Sequence, residues 1–184
     1  MKEMAESLLA HFQMLARYNT LANERLYEAC AHLDEQEYRR ERAGSFQSIH
    51  RTLNHILLGD RIWMARFTDT GYEVTPALAT ELYSDFTSLR QARVAEDQRI
   101  EAFLASAGED LLAKEIDYVN NMGVPCADPV SLLLAHLFNH QTHHRGQAHA
   151  LLSSFIGNEA TPSFDLIIFQ RLTGQGALRT LGSS

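Results

Sequence analysis

Cysteine, proline and glycine are all scarce in this 184-residue chain: two, four and ten residues respectively. Neither Cys30 nor Cys126 belongs to a Cys-x-x-Cys pair, which excludes a thiolate metal cage, and in a chain that reads as cytoplasmic no disulfide is expected. Neither sits in an evident electropositive setting, so a nucleophilic cysteine is not indicated. Long apolar runs are also missing. No stretch approaches the roughly 18 uninterrupted apolar residues of a membrane helix. The opening "MKEMAESLLAHFQML" interrupts its apolar residues with Glu3, Glu6 and His11, unlike a secretory segment. The expectation is a cytoplasmic protein with reduced thiols and no membrane partner. Positive charge is in deficit too, with 16 basic against 23 acidic residues and a net charge of −7. Non-specific nucleic-acid binding needs the opposite balance, so no nucleic-acid partner is expected. The short basic run "YRRERA", Tyr38 to Ala43, reads as a solvated turn. P-loop, G-x-S-x-G and dinucleotide fingerprints are absent, as are internal repeats and low-complexity segments.

What remains is 45% hydrophobic and 21% charged, the composition of a soluble globular domain with a sizeable core. The few glycines and prolines punctuate long segments of helical period: Gly44, Gly71 with Pro76, Gly108, Gly123 with Pro125 and Pro129, and Gly157 with Pro162. A first helix is predicted from about Met4 to His32, carrying Leu8, Phe12, Leu15 and Leu26 at 3–4 spacing. A second spans about Ser45 to Thr68 with Ser45 as N-cap, and a third, more polar, about Pro76 to Ala107. Around Ile116 and Tyr118 the pattern alternates, predicting an extended segment or hairpin. Asp128 is read as capping a fourth helix with Pro129 at its first position, running to about Phe155. A short tail helix covers Pro162 to Leu172. The fold class is therefore all-α, a four-helix bundle with a short extra C-terminal helix, forming one domain over residues 1–178 with a flexible tail at 179–184. Bundle cores are where metal and cofactor sites are built.

Five of the nine histidines fall within "HLFNHQTHHRGQAH", residues 136 to 149. At about 100° per residue, Leu133, Leu137, Ala148, Leu151 and Phe155 define an apolar arc, with His144 inside it and His140 on its edge. His136 and His143 fall on the flank, and His149 points to solvent. The i, i+4 pair His140 and His144 presents two imidazoles from one face, suited to a single ion. A third ligand must come from elsewhere. The second helix offers His50 and His55, and periodicity alone does not choose between them. The alternative is a histidine-rich helix face whose imidazoles are simply hydrogen-bonded. Gln141 stands where the H-E-x-x-H peptidase pattern needs its general-base Glu, and no Glu-x-x-His set of the di-iron bundles occurs.

Four segments together carry a family resemblance: "LARYNTLANERLYEAC", "SIHRTLNHILLGDRIWMARF", "HLFNHQTHHRGQAHALL" and "TPSFDLIIFQR". In order and over nearly the whole chain they resemble the DinB family, within the DinB/YfiT-like metal-binding bundle superfamily. The element Asn139 to Gln147 is the most specific part. The resemblance implies an up-down-down-up bundle and one divalent metal per chain, zinc or nickel, held by His55, His140 and His144. It thereby selects His55 over His50. Leu21 departs from the Trp often found at its position in the family.

Three imidazoles leave an open coordination position, the arrangement of catalytic rather than structural sites. Relatives in the superfamily use such a site for thiol-dependent transfer. The resemblance thus implies a metal-dependent transferase or related hydrolase or isomerase, with a low-molecular-weight thiol and a small electrophilic molecule as partners. The alternative is a non-catalytic, metal-stabilised dimeric protein of the stress response that binds a small molecule; a homodimer is expected in either case, favoured by any exposed apolar surface on the first and third helices. Asp60, on the apolar arc of the second helix, needs a donor from Asn19, Asn23 or Arg145. Asp60, His136, His143 and Gln147 are candidates for orienting a ligand or lining the pocket. Gly146 is read as permitting close helix approach, Trp63 and Tyr18 as core, and Arg171 as an exposed ion-pair partner rather than an anion binder.

Overall fold

The computed structural model describes residues 7–43, 45–70 and 77–175. The predicted helix starts at Met4 and Pro76, the glycines at 44 and 71, and the tail at 179–184 lie outside them.

Helix α1, Leu8–Cys30, begins at Ser7, whose hydroxyl accepts from the amide of Ala10. It ends two residues before the predicted limit, and a further short helix, α2 (Glu35–Arg39), follows inside a capping box of Asp34 and Glu37. The basic run thus starts on α2 with Tyr38 and Arg39 and continues as an exposed segment from Arg40 to Ala43, the solvated part of the expectation. Tyr38 is buried beneath α2, and the guanidiniums of Arg40 and Arg42 stack on Phe155. Helix α3 spans Ile49–Phe67 and is capped by Ser48 rather than Ser45. The chain turns at Gln47 (φ 65°), so the extended Ser48 is the residue whose side chain reaches Arg51 N.

The third bundle helix, α4, runs Phe86–Ala105 from an Asp85 cap, well after Pro76. The reason is Asn54: its Oδ1 accepts from the amides of Leu82 and Tyr83, and its Nδ2 donates to the Tyr83 carbonyl. The backbone of this segment is thereby tied across α3 and unavailable for a helical turn. A 3-10 turn, Glu109–Ala113, leads to the expected hairpin: β1 (Glu115–Val119) pairs antiparallel with β2 (Pro125–Pro129), Tyr118 opposite Cys126. Asp128 sits in this ladder opposite Ile116 and accepts the Tyr118 hydroxyl, so it does not cap the next helix. Helix α5, Val130–Ile156, ends at Gly157, whose φ of 81° requires a residue without Cβ. Helix α6 is Leu166–Leu172.

Helices α1, α3, α4 and α5 form the bundle, in which α1 packs on α4 and α5, and α3 on α4 and α5. Their directions follow from paired residues. Phe12 meets Phe138 and Asn19 meets Arg145, so α1 and α5 run parallel. Asp60 meets Arg93 and Phe67 meets Phe103, so α3 and α4 run parallel. Gln13 meets Leu104 while Tyr27 meets Phe86, which sets α1 against α4. The result is up-down-down-up, as expected.

Two apolar clusters fill the bundle. One contains Leu26, Leu53, Leu57, Leu89 and Leu152, and the other Phe12, Met64, Ile100, Leu104 and Leu137. Each buried Leu or Phe contributes about 1.5–3 kcal/mol. Between the clusters lies a polar layer. Asp60 and Arg93 form an ion pair, and Arg93 also pairs with Asp97 at 2.9 Å. Asn19 and Asn23 donate to Asp97 and accept from Arg145. The donor to Asp60 is therefore Arg93 from α4, not Asn19, Asn23 or Arg145. Two carboxylates and two guanidiniums make the layer neutral. Burial pushes the Asp60 carboxyl up to about 6 against the pull of Arg93 and Gln141.

The described residues of α1 and α4 expose one large apolar side chain each, Leu8 and Val94. Among described helices, none is long and apolar enough to cross a membrane. Both cysteines are free, and burial pushes the Cys30 thiol up to about 12, far from a nucleophile's range.

Candidate metal centre

At the level of the polar layer, where α3 and α5 cross in opposite directions, three histidines face one another. His55 comes from α3 and His140 and His144 from successive turns of α5. Nε2 of His55 lies 3.1 Å from Nε2 of His140 and 3.2 Å from Nε2 of His144. All three ligand atoms fall within 4.8 Å of one another.

The outer nitrogens settle which inner atoms carry lone pairs. His55 Nδ1 donates to the Leu78 carbonyl at 2.9 Å, and His144 Nδ1 donates to Gln147 Oε1 at 2.8 Å. Both Nε2 atoms are then unprotonated, with lone pairs aimed at each other. The facing lone pairs of His55 and His144 are repulsive unless a positive centre lies against them: a metal ion, an added proton, or the Nε2–H of His140, whose Nδ1 has no partner among the described residues. A proton is a poor candidate. Burial lowers the affinity of His55 and His144 for one, and burial with the neighbouring imidazoles of His144 and His55 takes His140 down to about 3. Nitrogens bound at ~2.0–2.1 Å to one tetrahedral ion sit about 3.3–3.4 Å apart, close to the separations seen. Donor chemistry, tautomers and spacing are all compatible with a divalent metal.

Packing around the cluster is specific. Phe46 lies flat on the His55 ring, centroids 3.8 Å apart, and meets His144 edge-on at 5.4 Å. At Gly59 a Cβ would stand 2.8 Å from Cε1 of His140. Gly59, not Gly146, is thus the close-approach glycine; a Cβ at Gly146 would meet open space.

The other sequence candidates separate around this centre. His50 is fully accounted for elsewhere, between Tyr38, Asn54 and Glu81. Asp60 belongs to the ionic layer with Arg93 and makes no bond to a histidine. Gln147 orients His144 and reaches His143 through its amide nitrogen at 3.2 Å. His143 and His136 are exposed, the latter packed edge-on against Trp63 at 5.2 Å. His149 is half-buried against Phe164 rather than solvated. Tyr18 is core, as expected, and donates to the Phe164 carbonyl, while Trp63 is half-buried beside Tyr118. Arg171 is exposed, and among the described residues no carboxylate pairs with it.

Sequence reasoning missed Phe46, Gly59 and Leu78. Gly59 carried a signal, a glycine inside a helix whose cost implies a close neighbour. Leu78 acts through its carbonyl, which residue type cannot reveal, and Phe46 carried none.

The DinB family model matches residues 4–175. The chain belongs to the DinB family. It is also 28% identical over 165 residues to Protein DinB of Bacillus subtilis (strain 168), covering 86% of this chain and 94% of that protein. The three-histidine cluster lies inside the matched span. DinB membership and the cluster's geometry are each compatible with metal binding.

Proposed function

We propose that His55, His140 and His144 hold one divalent ion, zinc or nickel. On this reading the protein is a metal-dependent transferase joining a low-molecular-weight thiol to a small electrophile. The observation that carries the reading is the convergence of three imidazole Nε2 atoms, two of them fixed as lone-pair donors from behind. When bound, such an ion supplies Lewis acidity that lowers the pKa of a coordinated water or thiol. The protein's own contribution is positional. Leu78 and Gln147 hold the Nδ1 protons of His55 and His144, and Phe46 covers one face of the cluster against water. In the transfer the thiol's proton passes to solvent, a sulfur–carbon bond forms, and the carbon–leaving-group bond breaks, the leaving group departing with its electron pair.

Elemental analysis of protein purified without a histidine tag tests the site. One ion per chain, lost in His55→Ala and in His144→Ala, is expected; unchanged metal content in either variant overturns the ligand assignment. Thiol consumption with an electrophilic acceptor tests the chemistry. One tightly held ion without turnover across several thiols and metals would replace the transferase with a non-catalytic, metal-stabilised small-molecule-binding protein.

A further inference from the structure

A cavity of about 570 Å³ opens beside the histidines, between the segment that joins α2 to α3 and the outer face of α5. Phe46, Gln147, Thr52, Leu151, Ser154 and Arg42 are among its lining residues. Two of these belong to both places: Phe46 is stacked on His55, and Gln147 is bonded to His144. The inner wall of the cavity is therefore the back of the histidine cluster's own support.

Its outer end has a different chemistry. The guanidiniums of Arg42 and Arg40 lie over the same ring, Phe155, at 5.1 and 5.5 Å from its centroid. Two like charges on one ring repel. The nearby Arg39 and Arg51 are each paired with a glutamate, Glu35 and Glu41. Among the described residues no carboxylate pairs with Arg40 or Arg42. In a chain of net charge −7 these two guanidiniums stand side by side without an ion-pair partner among the described residues, and Arg42 is one of the residues that line the cavity. Gln147 and Phe155 are eight residues apart on α5, which at ~1.5 Å per residue places the two ends about 12 Å apart.

We propose that this cavity binds the body of a small amphiphilic carboxylate, with its anionic group on Arg42, beside Arg40, and its other end against Phe46 and Gln147, the side chains that back the histidines. Guanidinium and carboxylate match as a two-point, charge-assisted pair, and the Phe46, Leu151 and Thr52 methyl surface accepts an apolar chain. The inference rests on the proposed metal centre only for the identity of the inner end; the anion end stands on its own residues.

Titration calorimetry of the metal-loaded protein with 8-mercaptooctanoate, octanoate and 8-mercaptooctanol tests it. Arg42→Gln should weaken both carboxylates about tenfold or more and leave the alcohol unchanged. Ala150→Trp, an exposed position on the cavity floor, should abolish binding of all three. Equal affinity for acid and alcohol, carboxylate binding indifferent to Arg42→Gln, or no carboxylate binding at all overturns the proposal. Octanoate binding that persists in His144→Ala and still depends on Arg42, in a protein that holds no ion, would uphold the anion site while the metal reading fails.

Discussion

His55 and Asp60 stand five residues apart on α3, and the polar clusters they belong to are built in opposite ways. Around Asp60, carboxylates meet guanidiniums and carboxamides: Arg93 bridges Asp60 and Asp97, and Asn19 and Asn23 link Asp97 to Arg145. Charges cancel within the layer, and all four bundle helices contribute. Around His55, by contrast, nitrogens of one kind point at one another, with hydrogen-bond partners placed behind two of the three rings. A buried polar cluster closed on itself specifies how helices register. One whose lone pairs converge is complete only with something added. The same depth in the same bundle thus hosts a structural device and a functional one, and pairing chemistry distinguishes them.

The largest expected effect breaks the closed cluster. Arg93→Met removes the cation between two carboxylates that are 0% and 3% exposed, leaving buried charge without a partner. Such losses cost about 3–5 kcal/mol, a large part of the stability of an ordinary domain. Urea unfolding should show this loss while metal content per folded chain stays at the wild-type level. A change below about 1 kcal/mol would mean that the layer does not hold the helices together.

Acid separates the clusters next. The folded protein keeps His140 unprotonated down to about 3, whereas an unfolded imidazole takes a proton near 6.5. Stability attached to His140 is therefore present in full above that unfolded value and is lost as the pH falls from 6.5 toward 3. In metal-free protein, His140→Gln should flatten the decline in unfolding free energy between pH 7 and pH 5. In loaded protein the same window should release metal, because the protons and the ion compete for one set of lone pairs. An identical pH slope in wild type and variant would count against the burial and crowding of this ring.

Gly59→Ala addresses the open cluster without touching a ligand. A methyl group 2.8 Å from the His140 ring forces that ring or the α3–α5 spacing to move. Overpacking of this kind costs about 1–3 kcal/mol. Because the displaced group is a ligand, metal affinity should fall more than stability does. Equal losses of both would indicate a general spreading of the helices.

The bundle and two of the centre's three histidines were legible in the sequence for a physical reason. His140 and His144 are joined by helical phase, a local property, so their shared face follows from the 3.6-residue repeat alone. His55 is joined to them only by how α3 packs on α5, and periodicity left it level with His50; the family resemblance made the choice. Asp60 shows the same limit. Its burial was readable from its arc, but its partner lies on α4, a helix whose polar surface gives no sign that Arg93 and Asp97 are inside. The N-terminal limit of α4 failed for another reason. Asn54, far off in sequence, captures the backbone amides of Leu82 and Tyr83.

The smallest effect sharpens the comparison most. Gln147 touches no ion; it accepts the Nδ1 proton of His144 and so keeps that ring's Nε2 lone pair turned inward. Gln147→Leu removes the acceptor and leaves the ring free to rotate or to change tautomer. His55 remains held by Leu78 and His140 by its packing on Gly59, so two of three donors stay in place. Metal affinity should therefore fall about 10–100-fold, the usual weight of an outer hydrogen bond, with global stability of the metal-free protein nearly unchanged. Gln147→Glu restores an acceptor and adds negative charge behind the imidazole, so its affinity should equal or exceed that of the wild type. Competition with a chelator of known strength reads both variants. If Leu and Glu at this position behaved alike, the role of Gln147 would be only to fill space, and the outward partners would no longer distinguish the open cluster from the closed one.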